Sequence, residues 1–177
     1  MKINDHRPMQ MTVSSRKNGM PNKFQVVLDV QKAHFLSDKT KCYEWRIDQL
    51  DRMEQMLRNH QEEFCAALYQ DFGKPSFEQL FEITVPLGNV KYYRENLREL
   101  MAPQPVAIPK GLEATGNSGL ILKEPYGATL VIGPFNAPIL LLLDPAIAAL
   151  AAGNTVVLKP ANTTPATAAL FQKFVPQ

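Results

Sequence analysis

The chain has 177 residues, 45% of them hydrophobic and 20% charged, which is enough apolar material for a buried core and an ordinary globular balance. Its 19 basic and 17 acidic residues leave a formal charge of +2. No stretch gathers lysines and arginines among aromatics, so a nucleic-acid partner is excluded on charge grounds.

The opening, Met1 to Asn22, carries Lys2, His6, Arg7, Arg16 and Lys17 without an apolar stretch, so it is read as a mobile extension and not as a secretory signal. From Phe24 to Leu100 apolar residues recur at helical spacing, as in Ile47, Leu50, Met53, Leu57, Phe64 and Leu68. Asn59 with Glu62, and Ser76 with Gln79, have the spacing of helix-start caps, and Gly73, Lys74 and Pro75 end the helix before the second of them. An interruption or kink is expected near Pro86. The two cysteines, Cys42 and Cys65, both fall in stretches of helical periodicity and outside any C-x-x-C or Cys/His spacing. No metal site is expected, and a reduced, cytoplasmic setting fits. His6, His34 and His60 are scattered, and Glu62 and Glu63 read as solvated.

Between Met101 and Gly111, Pro103, Pro105 and Pro109 hold the chain extended as a linker. Gly119 to Lys123 (GLILK) then has the shape of a short strand. Ala128 to Ile132 (ATLVI) is a continuous apolar strand, Pro145 to Ala152 an alanine-rich helix stopped by Gly153 and Asn154, Thr155 to Lys159 (TVVLK) a second strand, and Pro165 to Phe174 a further helix. That order is a βαβα unit with two parallel strands. Runs apolar at every position belong inside a sheet covered on both sides, so two strands leave an open edge and an aggregation-prone face. The window from Ala128 to Ala152 contains one charge, Asp144, but Pro134, Pro138, Pro145, Gly133 and Asn136 would leave backbone groups unpaired in lipid, which argues against a membrane span.

Ligands in parallel sheets sit beyond the carboxyl ends of the strands, where this chain presents Gly133, Pro134, Phe135 and Asn136 after one strand and Lys159 after the other. No G-x-G-x-x-G is present. On spacing alone, Asn136 reads as a turn residue and Lys159 as a strand-end lysine reaching solvent.

Taken together, EPYGATLVIGPFNAP (Glu124 to Pro138) and ALAAGNTVVLKPANTTP (Ala149 to Pro165) closely resemble the amino-terminal nucleotide-binding segment of the aldehyde dehydrogenase superfamily. WRIDQLDRMEQML (Trp45 to Leu57) and ALYQDFGK (Ala67 to Lys74) are similar to its upstream helices, in the arrangement of the class 3, fatty-aldehyde and coniferyl-aldehyde branch. The resemblance implies an α/β fold: an amino-terminal helical layer followed by the start of a Rossmann-like parallel βαβα unit, an incomplete aldehyde dehydrogenase fold. It implies residues 1–22 as extension, 23–111 as helical layer and proline-rich linker, 112–126 as a strand segment that could serve oligomerisation, and 127–177 as the first part of a nucleotide-binding domain.

The same resemblance implies NAD(P)-dependent oxidation of an aldehyde, with NAD or NADP as cofactor and a homodimer as the full-length assembly. Asn136 falls on the family's oxyanion-hole asparagine, Lys159 on the lysine that holds the adenosine ribose, and Ile132, Gly133, Pro134 and Phe135 on the cofactor wall. Asn162 departs from the pattern, since many NAD-using members carry a glutamate there that accepts from the ribose 2′-hydroxyl and repels a 2′-phosphate. Ala137 stands where an aromatic is frequent. The nucleophilic cysteine and general-base glutamate match no position here, so the chain reads as an amino-terminal fragment that is inactive alone; the competing reading is a catalytically inactive nucleotide-binding or interaction module. Apolar aldehydes are the favoured substrates.

Overall fold

The computed structural model describes Asn22 and residues 24–175, so the extension expected over Met1 to Asn22 lies, but for Asn22, outside the described residues. Four helices come first: α1 (Gln25–Leu36), α2 (Tyr43–Asn59), α3 (Gln61–Phe72) and α4 (Ser76–Met101). Strand β1 (Gln104–Val106) pairs antiparallel with β2 (Gly119–Ile121), and β3 (Ala128–Ile132) pairs in parallel with β4 (Thr155–Lys159) across the crossover helix α5 (Leu140–Ala151). Helix α6 (Pro165–Phe174) follows. None of the described helices is long and apolar enough to cross a membrane.

One apolar core joins the two halves. Leu50 and Leu57 of α2 and Ile83, Val90 and Leu97 of α4 recur every seven residues, so each helix keeps one stripe facing inward. Against that stripe pack Leu142, Leu143, Ile147 and Ala151 of α5, while Phe64 of α3 meets Phe171 and Phe174 of α6. Arg94 on α4 pairs with Asp51 and Glu54 on α2, and the Glu54 carboxyl is held below its ordinary range first by its hydrogen bond to Arg58 and then by Arg94.

Strands β3 and β4 and helix α6 follow the expected bounds because each is an apolar run closed by turn residues. Other expectations need correction. Helix α5 starts at Leu140, not Pro145, and carries the proline inside it. The apolar Leu142 and Leu143 of its first turn are fully buried, and that packing outweighs the backbone bond the proline lacks. Helix α4 is not interrupted at Pro86, which lies inside it. The proline linker is part strand, with Pro105 opposite Leu120. Neither proposed cap forms: α3 is preceded by His60, not Asn59, and Pro75 precedes α4 with no side-chain cap bond. Gln79 does reach back, but to the Lys74 carbonyl at 2.5 Å. Glu63 is not simply solvated, because His60 and Lys173 both hydrogen-bond to it, and these bonds lower its carboxyl, His60 the most. The β3–β4 sheet is open on one side, where alternate residues Leu130 and Ile132 face solvent.

Two glycines test this packing in opposite directions. Gly153 ends α5 with φ +91°, and a side-chain carbon there would stand 2.7 Å from the buried Arg46 guanidinium. Gly153→Ala is expected to cost about 1–3 kcal/mol, from the left-handed backbone and displaced Arg46 together. Gly88 sits exposed in α4 with open space around it, so Gly88→Ala should add about 0.5–1 kcal/mol. Urea unfolding midpoints check both; a neutral Gly153→Ala would show that the Arg46 contact carries no constraint.

Candidate functional site

The site begins where the two parallel strands end. Ile132 is in register with Lys159, and the Gly133 N–H donates to the Lys159 carbonyl at 3.0 Å, so the loops after β3 and β4 leave the sheet side by side. Gly133 is buried, and a side-chain carbon there would meet Leu142 Cβ at 3.1 Å, a tight contact that Leu142 would have to yield to by a few tenths of an ångström. Pro134 is half-buried behind it, while Ile132 and Phe135 are 65% and 62% exposed and offer an apolar wall. Asn136 is exposed at the tip. Its side-chain amide makes no hydrogen bond among the described residues, so its N–H donors are free for a ligand. On the neighbouring loop the Lys159 ammonium donates to Asn162 Oδ1 and to the Pro160 carbonyl, each at 3.0 Å. Lys159 therefore does not simply reach solvent; it is tied to Asn162.

The residues that hold these loops in place were not read from the sequence. Helix α5 begins after Ile139, and no local side chain caps it. Instead Glu82 of α4, 1% exposed, accepts from the Ile139 and Leu140 N–H groups at 2.9 and 3.4 Å. Lys74, 6% exposed in the α3–α4 connection, pairs with the same carboxylate and also donates to the Asn136 carbonyl at 2.9 Å. Helix α6 is served the same way. Thr164 before it makes no cap bond, and Asp71 at the end of α3 accepts from the Ala166 and Thr167 N–H groups, each at 2.9 Å, and from the Thr167 hydroxyl at 2.7 Å. A carboxylate suits a helix start because unpaired N–H groups and the helix dipole meet there. A faint signal existed in Lys74, Glu78 and Glu82, a lysine followed by acids one and two turns into a helix, but their target lies more than fifty residues onward.

Elsewhere among the described residues, no cysteine or histidine is set beside these loops. Cys42 lies outside the helices, exposed before α2, with its thiol donating to the Lys39 carbonyl. Cys65 is half-buried on α3, and burial, followed by the charge of Glu62, pushes its thiol up, away from the reactive thiolate. His60 stacks on Phe174 at 3.7 Å and His34 lies against Trp45. A groove of about 790 Å³ opens between α1, α2 and β4, lined by Trp45, Asp48, Arg52 and Leu158, and contains none of the loop residues after β3 and β4.

Residues 11–177 match the model of the aldehyde dehydrogenase family. The chain is 41% identical over 152 residues to an aldehyde dehydrogenase of Craterostigma plantagineum, covering 85% of this chain and 31% of that protein. It is 40% identical over 139 residues to aldehyde dehydrogenase family 3 member H1 of Arabidopsis thaliana, covering 78% and 28%. The chain thus spans about a third of the length of these curated relatives. Among solved structures it is similar to the substrate-bound state of Staphylococcus aureus AldH, with a TM-score of 0.83 at 32% identity over 88% of this chain and 34% of that one.

If Asp71 sets the start of α6, Asp71→Ala should lower stability by about 1–2 kcal/mol, the ordinary weight of a lost helix cap. Hydrogen exchange at the Ala166 and Thr167 amides should speed up while Ile139, held by Glu82, keeps its protection. Unchanged exchange at Ala166 and Thr167 would show that α6 finds its start without Asp71.

Proposed function

The chain belongs to the aldehyde dehydrogenase family, among relatives of its family 3, and from that premise we propose that it supplies the oxyanion donor and part of the NAD(P) wall for oxidation of an aldehyde to a carboxylate. The observation that carries this reading is the Gly133–Lys159 hydrogen bond, which sets an unengaged Asn136 amide and a Lys159 ammonium on adjacent loops. In the proposed role the Asn136 N–H donates to the aldehyde oxygen as that oxygen gains negative charge. A donor aimed at charge that exists only in the transition state is worth about a hundredfold or more in rate. The likeness to family 3 relatives favours apolar aldehydes in this reading.

NAD or NADP, when bound, accepts the hydride. Ile132 and Phe135 would lie along it, and Lys159 would donate to its ribose oxygens. Both helix starts are already occupied by carboxylates, Glu82 and Asp71, so neither is open to a pyrophosphate, in keeping with the missing G-x-G-x-x-G. At Asn162 the amide oxygen accepts from Lys159, leaving its N–H donors for the ligand. That corner offers donors only, so it tolerates a 2′-phosphate as well as a 2′-hydroxyl.

In the same reading residues 127–177 carry the cofactor wall, 23–111 support it, and 112–126 form the contact of a homodimer. The last assignment draws on the exposed Leu120, Ile121 and Leu122, which also favour the second reading, a module that associates with a longer relative. The 177 residues alone do not turn over aldehyde, since Cys42, before α2, and Cys65, on α3, both lie off the strand-end loops. Two free thiols suit the reducing cytoplasm.

Calorimetric titration, at protein concentrations where light scattering shows no association, tests the cofactor site. NAD and NADP should bind within about tenfold of each other, a difference of about 1.4 kcal/mol. Asn162→Glu should weaken NADP by tenfold or more and spare NAD. Equal NADP affinity in wild type and Asn162→Glu would overturn the cofactor reading, and reduced nicotinamide formed from aldehyde by the 177 residues alone would overturn the proposed inactivity.

A further inference from the structure

We propose that Lys74 and Glu82 are positioning residues for Asn136, acting as a buried clamp that closes the turn between β3 and α5 and so fixes the direction of its amide. Glu82 Oε2 accepts from the Ile139 N–H, its other oxygen meets the Lys74 ammonium, and that ammonium donates to the Asn136 carbonyl. Two points of the chain three residues apart are thereby joined through one carboxylate and one ammonium, both almost wholly buried. The carbonyl of Asn136 is one end of its peptide plane, so holding it limits the backbone rotation that would swing the exposed side chain. Pro138, buried within the turn, removes further freedom. Glu78 also approaches Lys74, at 3.8 Å, but is exposed and adds little.

The arrangement does more than staple the core. A buried ion pair is often no more stabilising than apolar residues of the same volume, whereas its geometry is specific. An apolar pair in these positions could fill the space but could not grip a carbonyl. The clamp holds an exposed loop tip from beneath while its amide stays free above. Its bearing on catalysis rests on the oxyanion role proposed for Asn136; the clamping itself does not.

Asn136–Ala137 is the one Asn-Ala pair in the sequence. Labelling asparagine carbonyls with carbon-13 and alanine nitrogens with nitrogen-15 therefore isolates a single peptide resonance that reports the turn. In the wild-type chain the amide order parameter of Ala137 should lie near the rigid value of about 0.85. Lys74→Met risks misfolding by leaving Glu82 unpaired, so the decisive variant is the double Lys74→Met/Glu82→Gln, which removes both charges and keeps an oxygen for the Ile139 N–H. There the carbonyl resonance should shift as its hydrogen bond is lost, and the order parameter should fall toward about 0.6. Asp71→Ala, which weakens the fold at the other helix, should leave this resonance in place. An unshifted, equally ordered resonance in the folded double variant would overturn the proposal, as would an equal change in Asp71→Ala. The resonance reads the turn whether or not an aldehyde meets Asn136, so failure here and failure of the cofactor titration are separate results.

Discussion

The strand-end geometry depends on carboxylates that cap helices they do not belong to. Helices α5 and α6 both start without a local capping side chain, and both are completed by acids of the α3–α4 pair, Glu82 and Asp71. The helical half is therefore part of the site's construction. At the far end of α5 the buried Arg46 donates to the Ala151 carbonyl, so the helix has an acid at its positive end and a base at its negative one, both from the helical layer. Burial lowers the pKa of Arg46, yet three backbone carbonyls, of Thr40, Lys41 and Ala151, receive its N–H groups. Charges placed this way fix one rotation and one height of α5 against α2 and α4, which apolar packing alone would leave able to slide.

That dependence explains which parts of the fold were legible in the sequence. ATLVI and TVVLK are read as strands because each is continuous, apolar and closed by glycine, asparagine or proline. Their parallel pairing follows from the helix between them. The start of α5 was misread because Pro145 looks like a first-turn proline, whereas the real start is defined by Glu82, 57 residues earlier in the chain. The caps assigned to Asn59 and Ser76 failed for the complementary reason: local spacing can suggest a bond but cannot show that the backbone has already turned, as it has at His60 and Pro75. Lys74 shows the limit most clearly. In the sequence it marks only the end of a helix, and the fold shows it buried between a glutamate and a distant carbonyl.

The candidate site was more legible than its support. Asn136, Lys159 and Asn162 stand in words whose order survives in one sequence, and the structure brings the loops that carry them together through a single backbone bond. Gly133 was legible as a residue of the loop after β3, but its 3.1 Å approach to Leu142 belongs to packing. Cys42 illustrates the opposite error, a residue given to a helix on periodicity that sits just outside it and exposed.

The Lys159–Asn162 bond is where the proposed cofactor preference would be set. Both side chains are exposed, so the contact is worth no more than about 1 kcal/mol in water, and a ribose oxygen can compete for the same ammonium. A glutamate at 162 would bind that ammonium more strongly, as a charge-assisted contact, and would carry a negative charge toward any 2′-phosphate. With the neutral amide, the net charge of the corner stays positive. In the proposed cofactor role the asparagine thus weakens the resting contact and removes the repulsion at once, and both changes would act in the direction of admitting the more highly charged nucleotide.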